Sequence, residues 1–161
     1  MAEETPNETI ARLSKGIRIG MMTTVDAEGA LIARPMALQE AAFDGSFWFF
    51  SERDARKVQH IRAAPHVNVG LTSSDTWISV YGTAAVVDDA ERKRELWNQG
   101  VAAWFPQGPD DPGIVLVRVQ AETAEYWDTP GGRVASLISF VKARVTGQRY
   151  DGGENEQVDL S

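Results

Sequence analysis

The nine residues Leu31-Ile32-Ala33-Arg34-Pro35-Met36-Ala37-Leu38-Gln39 read as a β-strand with one misfit. Side chains alternate across a strand, so Ile32, Arg34, Met36 and Leu38 share one face, and Ala33, Pro35 and Ala37 the other. A guanidinium among three apolar neighbours needs a partner anion, because a charge removed from water alone is costly. Two partners fit: a carboxylate at an interface, or a ligand. The small residues opposite let something lie close to the backbone. Pro35 lacks a ladder donor, so the strand is an edge, a bulge or a strand opened toward a ligand.

The flanking sequence builds a sheet around this strand. Ile17 to Val25 is apolar and β-branched, and Asp26-Ala27-Glu28-Gly29 turns it back into Leu31–Gln39 as a hairpin. Ahead of it, Thr5 caps a helix with Pro6 in the first position and Glu8 closing a capping box; this helix ends near Gly16. Asp44-Gly45 leads into a third strand, Ser46 to Phe50. Ser51 then stands as the natural cap of a helix that buries Val58 and Ile61 and stops before Pro65.

Val67, Val69 and Leu71 alternate with polar or small residues as a fourth strand, and Ser73-Ser74-Asp75 turns the chain into a long fifth, Trp77 to Val87. Gly82 inside it predicts a bulge or a close backbone approach. Asp88 reads as the cap of a charged helix reaching about Trp97. Gly100 to Gly113, with three prolines, reads as a functional or interface loop. Ile114 to Val119 and Glu122 to Trp127 form the last long strand, broken near Ala121. Thr129-Pro130-Gly131-Gly132 connects to a final helix with Leu137, Ile138 and Val141 on one face. The acidic residues from Asp151 on are expected to be loosely held. Short connections argue for antiparallel pairing, and a closed or nearly closed barrel removes exposed edges. The expected organisation is one barrel domain over residues 1–150 and an acidic tail over 151–161.

Composition narrows the function. The 161 residues suit one domain and carry a formal net charge of -7. An acidic surface repels phosphate backbones, so nucleic acid is not an expected partner. Without cysteine there is no disulfide framework, thiolate nucleophile or thiolate metal site. The start of the chain does not read as a signal peptide, and no apolar run approaches a membrane span. A soluble cytoplasmic protein is expected. Five Trp and six Phe serve packing or line a flat aromatic ligand.

A second cationic feature follows the third strand. Arg53, Arg56 and Lys57 crowd the start of a helix, where positive charge opposes the helix dipole. A bound phosphate would offset that; a solvated charged face is the plainer alternative. His60 and His66 have no metal-ligand spacing and read as surface or structural residues. There is no nucleophile motif, P-loop or dinucleotide fingerprint, and no catalytic side chain can be named.

Taken in order, Ala33-Arg34-Pro35-Met36, Phe49-Phe50-Ser51 with Arg56-Lys57 behind it, Trp77-Ile78-Ser79-Val80-Tyr81-Gly82 and Glu125-Tyr126-Trp127 resemble the pyridoxamine 5'-phosphate oxidase-like flavoproteins, and among them the general stress protein 26 group. The resemblance spans about residues 5 to 150. It implies a six-stranded antiparallel FMN-binding split β-barrel, working as a homodimer with flavin at the interface; FAD is the alternative cofactor. Arg34 and Lys57 would hold the phosphate, with Arg56 beside them. Phe50 and Ser51 would meet the flavin, and the backbone at Pro35 and Met36 would run along its rings. Trp77 stands where family oxidases often carry a flavin-contacting glutamine, and Trp127 would help close the site of the partner subunit. Two departures argue against a true pyridoxamine 5'-phosphate oxidase. Gln39 replaces a substrate-binding lysine, and Asp128 to Arg133 lacks the family's Arg-x-His element. The implied function is flavin binding with oxidoreductase activity on an unidentified small molecule, or a non-catalytic flavin-binding stress or carrier protein.

Overall fold

The computed structural model describes residues 3–129 and 153–161. The Thr5 capping box forms as expected and starts α1, Pro6–Ser14. Strands β1 (Ile19–Val25), β2 (Leu31–Ala37) and β3 (Ser46–Glu52) precede α2 (Arg56–Ala63). Then come β4 (His66–Thr72), β5 (Thr76–Val87), α3 (Ala90–Leu96), α4 (Gln99–Trp104), β6 (Ile114–Asp128) and β7 (Glu154–Asp159).

The sheet runs β2-β1-β4-β5-β6-β3, every pair antiparallel. Its two ends meet only at an isolated bridge between Leu38 and Phe49. The barrel is therefore split rather than closed, and β2 keeps one open flank. That is the edge position Pro35 requires.

Two cores lie on opposite faces of β3 and β6. Phe47, Phe49, Val117 and Val119 join Met22, Val69, Leu71 and Val80 in the main core. Phe50, Ile114 and Leu116 turn the other way, onto Leu96 of α3 and Val101 of α4. Strand β6 is thus buried on both faces over Ile114–Val117, which explains its uninterrupted apolar run.

Several expectations are corrected. The barrel's six strands are joined by a seventh, because the acidic tail is not loose: β7 pairs with Thr123–Asp128 of β6, and Leu160 is buried in the main core. Its strand character was masked by Glu154, Glu156 and Asp159, which suit a solvated edge. Ser51 does not cap α2; β3 continues through it, and the N-cap is Ala55, which makes no side-chain cap bond. Arg53 therefore precedes the helix. Asp89, not Asp88, caps α3. The Gly100–Gly113 segment is not all loop, since Gly100 to Trp104 belong to α4, which Asn98 caps. Strand β6 is not broken at Ala121; the ladder shifts register there instead, opposite Tyr81/Gly82. The expected final helix with Leu137, Ile138 and Val141, and the connector from Pro130, lie outside the described residues. Among the described residues, no helix is long and apolar enough to cross a membrane.

Two predictions follow from the β5–β6–β7 region. A Cβ at Gly82 would stand 2.2 Å from the Gln120 carbonyl oxygen. Backbone must then move, so Gly82→Ala should lower unfolding free energy by about 2 kcal/mol or more in urea titration. The second concerns Tyr126, whose hydroxyl donates to Glu156 Oε2 at 2.8 Å across the β6–β7 ladder. That bond, then burial, then the Glu156 and Glu154 charges push its phenol up to about 12. The folded value is raised, so the linked stability is full below the unfolded value near 10 and is lost as pH rises toward 12. Absorbance titration of the phenolate should show a late-ionising tyrosine that moves toward 10 in Glu156→Gln.

Candidate functional site

The β1–β2 hairpin sets the geometry of the candidate site. Its register pairs Arg34 with Met22 and Ile32 with Thr24. Met22 continues across the sheet to Val69 and Val80, so Arg34 stands on the core-facing side. It is half-buried there, beside Thr24, which is wholly buried. Its Nη1 donates to the Met22 carbonyl at 3.2 Å and to Thr24 Oγ1 at 2.7 Å. Neither acceptor is charged. Nε and Nη2 have no acceptor among the described residues, although a guanidinium carries five N–H groups. The alternative of a paired carboxylate is not met among those residues.

Helix α2 packs on β1 and β5 through Val58 and Ile61 and brings Arg56 and Lys57 to the same place. Lys57 is half-buried and Arg56 exposed. Burial pushes the Lys57 ammonium below its ordinary value; Glu52 works against this, and Arg34 adds to it. The Arg34 guanidinium is lowered likewise, by burial first and then by Arg56. The three cations therefore feel one another in a partly dry setting. No acidic residue occupies the first turn of α2. Such a cluster can hold a dianion through charge-assisted hydrogen bonds.

The remaining candidates scatter. Arg53 does not belong to the cluster: it pairs with Asp88 and donates to the Pro112 carbonyl at 2.7 Å. Met36 is buried in the main core, with Pro35 exposed on the opposite face, across from Met21. Ser51 is buried, its hydroxyl donating to the Glu52 carbonyl. Phe50 turns away from the cations and meets Trp97 edge-on at 5.5 Å. Trp77 and Trp127 are paired neighbours on the outer sheet face, half-exposed and opposite to the face bearing Arg34. Gln39 is buried and engaged at both ends of its amide, donating to the Ala37 carbonyl and accepting from Asn98. Thr24 and His60, which contact the Arg34 end of this network, were not expected from sequence. The hairpin turn could have revealed Thr24, since pairing Val25 with Leu31 places it diagonal to Arg34.

Comparison with known proteins agrees with this architecture. The family model described as "Pyridoxamine 5'-phosphate oxidase like" matches residues 5–151. Protein bli-3 of Neurospora crassa is 30% identical over 143 residues, covering 81% of this chain and 68% of that protein. A candidate general stress protein 26 of Jannaschia sp. CCS1 superposes with a TM-score of 0.76 at 27% identity, covering 92% of this chain and 93% of that one. The general stress FMN/FAD binding protein of Xanthomonas citri gives a TM-score of 0.66 at 29% identity, over 76% of this chain and 87% of that one. With its antiparallel split barrel, its flanking helices and a family match over nearly all its length, the chain belongs to the pyridoxamine 5'-phosphate oxidase-like family.

Proposed function

We propose that this chain binds FMN as a cytoplasmic homodimer, with the flavin phosphate held by Arg34 and Lys57 and flanked by Arg56. One observation carries the reading. Arg34 Nε and Nη2 and the Lys57 ammonium have no hydrogen-bond acceptor among the described residues, in a partly buried site where Arg56 adds to the cost of charge on Arg34, and Arg34 to that on Lys57. A phosphate dianion resolves that repulsion. The Xanthomonas citri relative, described as binding FMN or FAD, supports a flavin over other phosphate esters. FAD is the alternative occupant, since its pyrophosphate offers the same oxygens.

When bound, the flavin would supply two-electron redox chemistry of its own. This chain's residues would bind and orient it. Arg34 and Lys57 would fix the phosphate, and the small face of Ala33, Pro35 and Ala37 would leave room beside the β2 backbone. Oxidoreduction of an unidentified small molecule is the leading use; a non-catalytic stress or carrier role is the alternative. The engagement of Gln39 with Asn98 and the Ala37 carbonyl speaks against pyridoxamine phosphate as substrate.

The homodimer rests on the outer sheet face. Ile19, Met21, Trp77, Tyr81 and Trp127 are exposed across β1, β5 and β6. A contiguous apolar face of this kind marks an interaction surface. A second copy set against it would bring Trp77 and Trp127 toward the flavin of the other subunit.

An absorbance spectrum of the purified protein, with mass analysis of the released ligand, identifies the flavin. Arg34→Ala and Lys57→Ala should each weaken FMN binding by about 10- to 100-fold, the worth of one or two charge-assisted bonds, with riboflavin binding nearly unchanged. Equal losses for both flavins would contradict the phosphate assignment. Sedimentation at micromolar concentration should show a dimer, and Met21→Glu should shift it toward monomer; a stable folded wild-type monomer would defeat the dimer.

A further inference from the structure

The hydrogen-bond chain behind Arg34 assigns a role to two residues remote from any phosphate contact. Thr24 lies wholly buried on β1, its hydroxyl between Arg34 Nη1 at 2.7 Å and His60 Nδ1 at 2.9 Å. A hydroxyl has one proton to give and two lone pairs. Arg34 always donates, so it occupies one lone pair. If Thr24 gives its proton to His60 Nδ1, the buried hydroxyl is satisfied as donor and as acceptor. If instead His60 donates from Nδ1, the Thr24 proton is left in a buried position with no described acceptor. Leaving a buried donor unpaired is costly. The first arrangement therefore prevails, with Nδ1 of His60 as acceptor.

We propose that Thr24 and His60 are positioning residues for Arg34, a relay from α2 through β1 to β2 that fixes the guanidinium with Nη1 turned inward and Nε and Nη2 left for the ligand. The proposal rests on the phosphate reading above. Without the relay, Arg34 keeps only the 3.2 Å bond to the Met22 carbonyl, and its long side chain regains rotameric freedom. The relay also couples two parts of the site. Lys57 sits one turn before His60 on α2, so the helix that presents the ammonium is pinned to the strand that orients the guanidinium.

The test is a double-mutant cycle on the full-length protein, reading FMN and riboflavin affinities by flavin fluorescence quenching and folding by circular dichroism. Thr24→Val keeps the shape and removes the hydroxyl. It should weaken FMN binding by about 5- to 10-fold, the worth of about one ordinary hydrogen bond, because the loss reaches the phosphate only through the guanidinium's placement, and leave riboflavin within about twofold. Thr24→Ser should restore FMN affinity. His60→Leu should reproduce the Thr24→Val loss in smaller degree. In an Arg34→Ala background, Thr24→Val should have no further effect on FMN, because its action passes through the guanidinium. Additive losses in that background, or a Thr24→Val loss shared equally by riboflavin, would overturn the relay. If Arg34→Ala alone fails to separate FMN from riboflavin, the phosphate reading falls, and the relay with it. If Arg34→Ala separates them and Thr24→Val does not, only the relay falls.

Discussion

A β-strand has two hydrogen-bonding edges, and β6 divides one of them between two partners. Along one edge it pairs with β5 over nearly its whole length. Along the other it serves β3 from Ile114 to Gln120 and β7 from Thr123 to Asp128. The handover falls at Ala121 and Glu122, where the β5 ladder also slips, because the chain must bend to leave one partner and meet the next. Gly82 makes that bend feasible: the Gln120 carbonyl comes so close that no side chain could stand there. The close approach lies where β6 passes from β3 to the C-terminal strand.

The cationic cluster is the electrostatic counterpart of that mechanical constraint. Several other arginines are matched with carboxylates, Arg12 with Glu4, Arg53 with Asp88, Arg92 with Glu95 and Arg94 with Asp110, while Arg118 rests on the neutral side chains of Ser46 and Gln120. Even the buried Lys93 has Asp88 and the Ile114 carbonyl. Against that background, Arg34 and Lys57 are held by neutral groups or by none among the described residues, on an acidic chain with carboxylates to spare. Glu52 is felt at Lys57 but makes no ion pair with it among the described residues, so the donors of both cations stay open to an anion.

The sequence was most legible where one local rule acts alone. The Thr5 capping box, the Gly29 turn and the alternation around Arg34 involve neighbours in sequence, and each appears as read. It was least legible where distant partners decide. Ser51 has the chemistry of a cap, yet pairing with Val115 draws it into β3 and moves the helix start to Arg56. The β7 residues look like a solvated tail until the free edge of β6 offers them a ladder. The packing of Phe50 under α3 and α4 likewise comes from residues far along the chain. His60 carried no signal, because its only notable contact is 36 residues away in sequence.

These two kinds of information bear on separate ends of the candidate site. The cation end hangs on β1, β2 and α2, and its geometry follows from hairpin register and helix periodicity. The end near Gln39 hangs on the long-range layer formed by α3 and α4. Asn98 caps α4 with its side-chain oxygen and donates from its amide nitrogen to Gln39, so the residue after β2 is locked to that layer. Where the resemblance leads to expect a lysine, this chain carries a neutral amide that donates to the Ala37 carbonyl and accepts from Asn98, so a change in α4 would alter the Gln39 end without touching Arg34, Thr24 or Lys57. The cation end and the Gln39 end can change separately because they rest on different elements, although both are anchored to the barrel, Gln39 through its backbone bond to Trp48.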